Sequence, residues 1–532
     1  MDPIHILFGT ESNNCADLAD RTGSALKKAG YQPVVVDMGD FANDKLAQLR
    51  TLVVITSTYG NGDPPSNAES LHAYVMKKAP ELPSLRFAVL ALGDKTYDRF
   101  CQCGKDFDRR LGELGATRLL DRKDCDVDYE KPWKAWLEAL LAAVKALESF
   151  PAEVAPATTP VIAAEHHEAR PGTRKNPVLA RLLRIRRLCG AASTKETIHV
   201  ELSLAGTGVS YEPGDSLGVW PTNDPLLVDE VLAAAACDPE AKVALRGVVH
   251  ESSRGTGSMT LREALSTHLE LAHVDARLLD LTGAPRDEVE GGHVLDVLLS
   301  GERPITAQQL VEALKPIAPR QYSLASSLRA HPDEAHFTVD VVRYELRGRR
   351  RGGVASTQLA ERVPVGGSVP VYLHTAPHFR LPEDDAPIVM IGPGTGIAPF
   401  RAFLEERRAR GARGRSWLFF GARHAAADFL YGDELSALRD QGVLTHLDCA
   451  FSRDQEARVY VQHRMREKAP ELFRWLADGA VVYVCGDAKR MAPDVHHALA
   501  EIIAEQGDTS LEAALARLES MTDQGLYRRD VY

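Results

Sequence analysis

The sequence predicts an α/β protein with an antiparallel β-barrel set into it. Three observations carry this. Residues 1–148 alternate short apolar runs with helical patterns. Residues 173–221 and 320–384 read as strands and turns. From 387 the strand–helix rhythm returns. Alternation of this kind marks doubly wound parallel sheets, whereas runs of strands with turn signals mark antiparallel sheets and barrels.

At the amino end, "IHILF", "PVVVDM", "TLVVITS" and "RFAVLALGD" suit buried parallel strands. Leu18, Thr22, Leu26 and Ala29 then mark one helical face, ended by Gly30. A last helix is expected from Pro132, with Trp133, Trp136, Leu140, Val144 and Leu147 on one side. Residues 149–172, rich in Pro and Ala, have neither period and read as a semi-stiff linker. Its His166 and His167 are read as solvated rather than as metal ligands. The barrel is expected over 173–384, interrupted by a helical insertion at about 222–318, and the second α/β domain over 385–532.

The chain has 532 residues, too many for one core, and a net charge of −11, which argues against nucleic-acid binding. No apolar run reaches membrane-spanning length, and "MDPIH" has no signal-peptide character. The 8 scattered cysteines lack zinc or redox-motif spacing. A cytosolic chain with reduced thiols is expected.

Three loops of the first domain invite a ligand. "GTESNNC" (9–15) joins a strand to a helix start, where unpaired N–H groups favour an anion. Asn13 stands where a glycine is expected, and Asn is the best non-glycine residue for φ > 0. A plain capped helix would use the same residues. "STYGNGDPPSNA" (57–68) and "LGDKTYDRFC" (92–101) emerge at the same sheet edge, bringing Tyr59 and Tyr97 with Gly60, Gly62 and Gly93. Either tyrosine alone reads as a locally packed loop residue. Together the loops offer a phosphate socket and two aromatic plates.

On these residues, 1–148 resembles a flavodoxin-type FMN domain. "FCQCGKDFD" (100–108) is similar to the version in bacterial NADPH–sulfite reductase flavoprotein subunits. The resemblance implies FMN contacts at Thr10, Glu11, Ser12, Asn13, Asn14 and Cys15; at Ser57, Thr58, Tyr59 and Gly60; and at Leu92, Gly93, Asp94, Lys95, Thr96, Tyr97, Asp98, Arg99, Phe100 and Cys101.

In "RQYSLASS" (320–327), Arg320 can fork onto a pyrophosphate, Tyr322 can cover a flat ring and Ser323 can donate a hydrogen bond. "RRGGVAS" (350–356) offers glycines before a helix start. Either alone fits an ordinary strand or turn. Together they resemble the ferredoxin–NADP reductase superfamily, and the insertion resembles its diflavin branch. That implies FAD contacts at Arg320, Gln321, Tyr322, Ser323, Thr338, Val339, Asp340, Tyr344, Gly353, Val354, Ala355 and Ser356. Ala272 stands where diflavin relatives tend to carry a hydroxyl residue, so one hydrogen bond to FAD is expected to be missing.

"PIVMIGPGTGIAPF" (387–400) is strand, glycine-rich turn and helix, with Gly392, Gly394, Thr395 and Gly396 open to a pyrophosphate. No acidic residue stands about 20 positions on, where an NAD-type ribose contact is often seen. Ser452, Arg453 and Arg458 suit a 2′-phosphate instead, hence NADP(H); a charged surface loop would read alike. The resemblance adds Tyr460, Gln462 and Asp494. It also places Ser323, Cys485 and Asp530 around the electron-transfer centre, with Tyr532 as a lid over the FAD ring. Burial statistics alone make Cys485 an inert core thiol.

The resemblance thus implies electron flow from NADPH to FAD to FMN to a separate sirohaem and iron–sulfur hemoprotein (beta) subunit reducing sulfite to sulfide, and a possible hetero-oligomer. The linker would let the FMN domain swing, and Asp121, Asp124, Asp126, Asp128 and Glu130 would steer a basic partner or simply be solvated. The alternatives are a general NADPH–hemoprotein diflavin reductase and a non-catalytic flavin-binding module.

Overall fold

The computed structural model describes residues 2–11, 14–59, 62–95, 97, 99–147, 171–174, 176–245 and 258–532. Ser12, Asn13, Gly60, Thr96, Asp98 and the linker as far as residue 170 lie outside the described residues. The chain forms two compact units, residues 1–169 with 246–249, and residues 170–245 with 250–532.

In the first unit the sheet runs in the order Pro33–Asp37, Ile4–Gly9, Thr51–Ser57, Arg86–Leu92. Thr117–Arg118 and Lys123–Cys125 both pair with the last strand, and every pairing is parallel. Strand period two sends neighbours to opposite faces. Leu7, Val54 and Val89 join Leu71, Val75, Phe107 and Leu111 on one side. Ile6, Val53 and Ala88 join Leu18, Leu26, Trp133, Trp136 and Leu140 on the other. The helices Asn14–Lys28 and Glu130–Leu147 lie side by side there, tied by the Trp133 indole N–H donating to Thr22 Oγ1 at 3.2 Å. Arg21 adds a fork onto Glu130 at 2.7 and 2.9 Å. The last helix begins at Glu130, two residues before the expected Pro132. Proline fits the first turn, where its missing N–H has no partner to lose.

The second unit opens with six antiparallel strands in the order Arg320–Ser323, Ser216–Val219, Ser368–His374, Val178–Arg187, Thr197–Ser203, Glu334–Asp340. A further antiparallel bridge between Leu324 and Phe337 closes the ring. Its interior holds Leu182, Val200, Leu217, Phe337, Val339 and Val371. Between the second and first strands of that order the chain builds helices of its own, from Pro225–Ala235 to Ala307–Ala313, around Val228, Leu265, Leu278, Leu295 and Leu310. Asp224 caps the first, and a Thr306–Gln309 capping box starts the last.

A five-stranded parallel sheet completes the unit: His446–Phe451, Ser416–Ala422, Ile388–Ile391, Val481–Gly486, Tyr527–Val531. The last residues pair as an edge strand, and Tyr532 N–H donates to Gly486 O at 3.0 Å, so the terminus does not fray. Among the described residues no helix is long and apolar enough to cross a membrane.

Candidate functional site

In the first unit, the loops after Ile4–Gly9, Thr51–Ser57 and Arg86–Leu92 leave the carboxyl edge of three adjacent strands. The helices that follow the first two strands cover opposite faces, which opens a crevice at that edge. Thr10 N–H donates to Asn67 Oδ1 at 2.8 Å, and the Glu11 carboxylate accepts from Ser66 N–H at 2.5 Å. Asn14 begins the helix and accepts from the Tyr129 hydroxyl at 3.0 Å. Thr58 N–H donates to Leu92 O, and Thr58 Oγ1 accepts from Cys103 N–H, which stitches the second loop to the third. Tyr59 closes a short turn with Asp63 through two backbone bonds of 2.9 Å. Tyr97 N–H donates to Asp94 O, and Lys95 pairs with Asp126 at 3.7 Å. The Arg99 stem packs over Gly62, and Phe100 lies 5.8 Å from the Lys95 ammonium. Both tyrosines and Ser57 are half-buried.

The loops fit a phosphate-tethered ring. A Cβ on Gly93 would sit 2.9 Å from Cys101 N and 3.0 Å from the Phe100 ring, so only glycine lets the third loop fold back. Cys101 takes φ 57° to start the helix Gln102–Glu113. Burial pushes Cys101 and Cys103 up to about 12 and raises Cys15 further. Neutral thiols put no negative charge beside a phosphate. Of the acidic residues read as steering groups, Asp124 is paired with Arg122, Asp126 with Lys95 and Glu130 with Arg21. Asp121 and Asp128 are exposed.

In the second unit, a cavity of about 880 Å³ is lined by Arg320, Tyr344, Gly353 and Val354, with Ala272 on its wall. Arg320 is steadied by Ala318 O at 2.6 Å and Glu270 at 3.4 Å, leaving part of its fork toward the space. Tyr344 hydrogen-bonds His293 Nε2 at 3.0 Å. Gly353 precedes the short helix Val354–Thr357, in which Ala355 and Ser356 are buried and Ser356 Oγ accepts from Val342 N–H. Gln321, Tyr322 and Ser323 are half-buried on the edge strand. Tyr322 stacks on Phe337 with centroids 5.3 Å apart. Glu270, His293 and Arg351, also on this wall, were not singled out by the sequence.

The strand Glu334–Asp340 is less open. Val339 points into the barrel core. The Thr338 hydroxyl is bonded to the buried Tyr431 hydroxyl at 2.7 Å. Asp340 accepts from Lys195 at 2.9 Å and from Thr197.

Barrel and parallel sheet meet at a polar cluster. Ser323 Oγ donates to Asp530 Oδ2 at 3.0 Å, and Cys485 Sγ lies 4.0 Å from the same oxygen. Sheet register sets this, because Cys485 pairs directly with Asp530. Burial, then the Asp530 charge, holds the Cys485 thiol well above its ordinary range, so it stays protonated. Tyr532 is 54 % exposed, and its hydroxyl lies 3.0 Å from Thr395 in the glycine-rich turn.

That turn is built for close approach. A Cβ on Gly396 would lie 2.1 Å from Cys485 O, whereas Gly394, at φ +58°, faces open space. Ser452 is anchored to Ala422 O, and Arg453 N–H donates to Arg423 O. The Arg453 and Arg458 side chains are exposed and join no ion pair among the described residues. Tyr460 is exposed, its ring stacked on His463, and Gln462 Nε2 donates to Asp494 at 3.0 Å. Gly396→Ala should therefore disturb the turn and Cys485 together. Overpacking against backbone costs about 1–3 kcal/mol, read as a lower Tm.

Residues 6–136 match the flavodoxin family model, 170–284 with 294–358 the FAD binding domain, and 390–497 the oxidoreductase NAD-binding domain. The cofactors of these domains are FMN, FAD and NADP(H). The chain is 45% identical over 550 residues to the sulfite reductase [NADPH] flavoprotein alpha-component of Bacillus subtilis (strain 168), covering 99% of this chain and 89% of that one. It is 39% identical to that of Yersinia enterocolitica (99% and 90% covered) and 40% to that of Escherichia coli O157:H7 (100% and 90%). Three domain types in one order, matched nearly end to end at this identity, place the chain in the sulfite reductase [NADPH] flavoprotein alpha-component family.

Proposed function

We propose that the chain carries electrons from NADPH through FAD to FMN, and from there to a separate sirohaem and iron–sulfur hemoprotein (beta) subunit that reduces sulfite to sulfide in the cytoplasm. The observation that carries this reading is the contact of Ser323 with Asp530 and Cys485. It joins the barrel strand Arg320–Ser323 to the end of the dinucleotide sheet, where a flavin ring and a nicotinamide could share a wall.

Bound here, the cofactors supply the conversion of an electron pair from NADPH into single electrons. The residues supply position and charge. In the first unit, the N–H groups at Asn14 and the loop 10–15 would hold the FMN phosphate, and Tyr59 and Tyr97 would contact its ring. On the barrel, Arg320 and the N–H groups after Gly353 would hold the FAD pyrophosphate, and Tyr344, on the same cavity wall, would contact FAD as well. Ala272 has no hydroxyl to give, and its N–H already donates to Glu270 at 2.9 Å. On the sheet, Gly394 and Thr395 receive the NADPH pyrophosphate, and Ser452, Arg453, Arg458, Tyr460 and Gln462 receive the 2′-phosphate end. The Asp530 carboxylate would stand where positive charge develops on a bound nicotinamide. Ser323 orients that carboxylate, Cys485 fills the wall beside it, and Tyr532 would serve as the lid over the FAD ring.

The test is reconstitution. The purified chain, mixed with the sirohaem hemoprotein of the same organism and NADPH, should form sulfide in step with NADPH consumption. No sulfide, with rapid reduction of a cytochrome, would make the chain a general diflavin reductase.

A further inference from the structure

We propose that His331, Glu334 and His336 form a binding site for a zinc-type divalent transition-metal ion on the rim of the barrel. A nitrogen or oxygen of each lies within 4.8 Å of the other two. Local structure explains the convergence. Glu334 and His336 are two apart on the strand Glu334–Asp340 and so share a face. His331 sits in the preceding turn, where its N–H donates to Ser327 O at 2.8 Å. The two imidazole rings have centroids 4.4 Å apart, and Glu334 Oε2 reaches His336 Nε2 at 2.9 Å and His331 Nδ1 at 4.0 Å.

Two imidazoles and one carboxylate are a donor set for zinc and its first-row neighbours. Metal–ligand bonds of about 2.0–2.2 Å put ligand atoms roughly 3.4 Å apart around a tetrahedral ion. Small side-chain rotations reach that from the observed spacing. The His336 side chain is 3% exposed, while those of His331 and Glu334 are 32% and 35% exposed. One ligand is thus buried, and the outer side is open for water in the remaining position.

A second feature points the same way. His331 Nε2 is held 3.1 Å from Glu405 Oε1 on the helix Ala398–Arg410. Glu405 is itself fixed by Arg401 at 2.9 Å and by Ser327 N–H at 3.1 Å. A carboxylate on one ring nitrogen leaves the lone pair of the other, Nδ1, turned toward Glu334. This is the outer support that metal-bound histidines carry. An ion here would pin the turn 327–334 to the barrel strand and, through Glu405, to the helix behind the glycine-rich turn.

The test uses the full flavin-loaded chain without a polyhistidine tag and Zn²⁺ as the probe. Calorimetric titration should show a saturable site, and saturation should raise Tm. His331→Ala and Glu334→Gln, both at half-exposed positions, should each weaken Zn²⁺ about tenfold or more and abolish the Tm rise, and Glu405→Gln should weaken it about tenfold. NADPH–ferricyanide turnover by His331→Ala should match wild type, which shows that the variant is folded. Equal Zn²⁺ affinity and equal Tm shifts in wild type and both ligand variants would overturn the site, as would a wild-type chain that binds no Zn²⁺.

Discussion

Replacing Arg453 and Arg458 together by alanine should raise the NADPH KM by about 10²-fold and leave turnover with NADH unchanged. Hydrogen bonds to a charged group contribute about 1.5–3 kcal/mol each, so two span roughly 10²- to 10⁴-fold. Both guanidiniums are exposed, and solvent screening sets the expectation at the lower end. Both follow the strand His446–Phe451, Arg453 directly after Ser452, which is anchored on Ala422. NADH has no 2′-phosphate, so a selective loss is the signature. Steady-state KM values for both dinucleotides with ferricyanide decide it, and a parallel loss for both would remove these residues from the phosphate site.

Asp530→Asn should slow the reduction of bound flavin by NADPH about 10²-fold, at unchanged flavin content and unchanged reduction by dithionite. The fixed charge is lost while shape is kept, and preorganised electrostatic contacts of this kind contribute about that much. Ser323→Ala removes only the hydroxyl that holds the carboxylate at 3.0 Å, and about tenfold is expected. The two effects should not add, because the groups touch. Anaerobic stopped-flow absorbance reads both. A full-rate Asp530→Asn variant would show that the cluster is only a structural contact.

The long apolar strands were legible because burial on both faces fills their middles with apolar residues, with hydroxyl residues mostly at the ends. "TLVVITS" and "SWLFFGA" correspond to Thr51–Ser57 and Ser416–Ala422. Thr117–Arg118 and Lys123–Cys125 were not, since two or three residues are too few to show a period. The terminal strand was hidden for another reason. Tyr532 is held by backbone bonds to Gly486 and Ala488, which side-chain chemistry does not announce. The loops of the candidate sites could be read from glycines and hydroxyls at strand ends, but not what secures them. Asn67 holds Thr10 across 57 positions of sequence. Tyr431, which occupies the Thr338 hydroxyl, comes from 93 positions away. Alternation along Glu334–Asp340 tells which residues share a face, and only the packed neighbour tells whether that face is free.

The account rests on one chain holding FMN, FAD and a dinucleotide site, and the most direct measurement is the flavin released by denaturing the pure protein. Chromatography should recover FMN and FAD in equal amounts. Recovery of a single flavin type from protein that still passes electrons from NADPH to ferricyanide at full rate would contradict it.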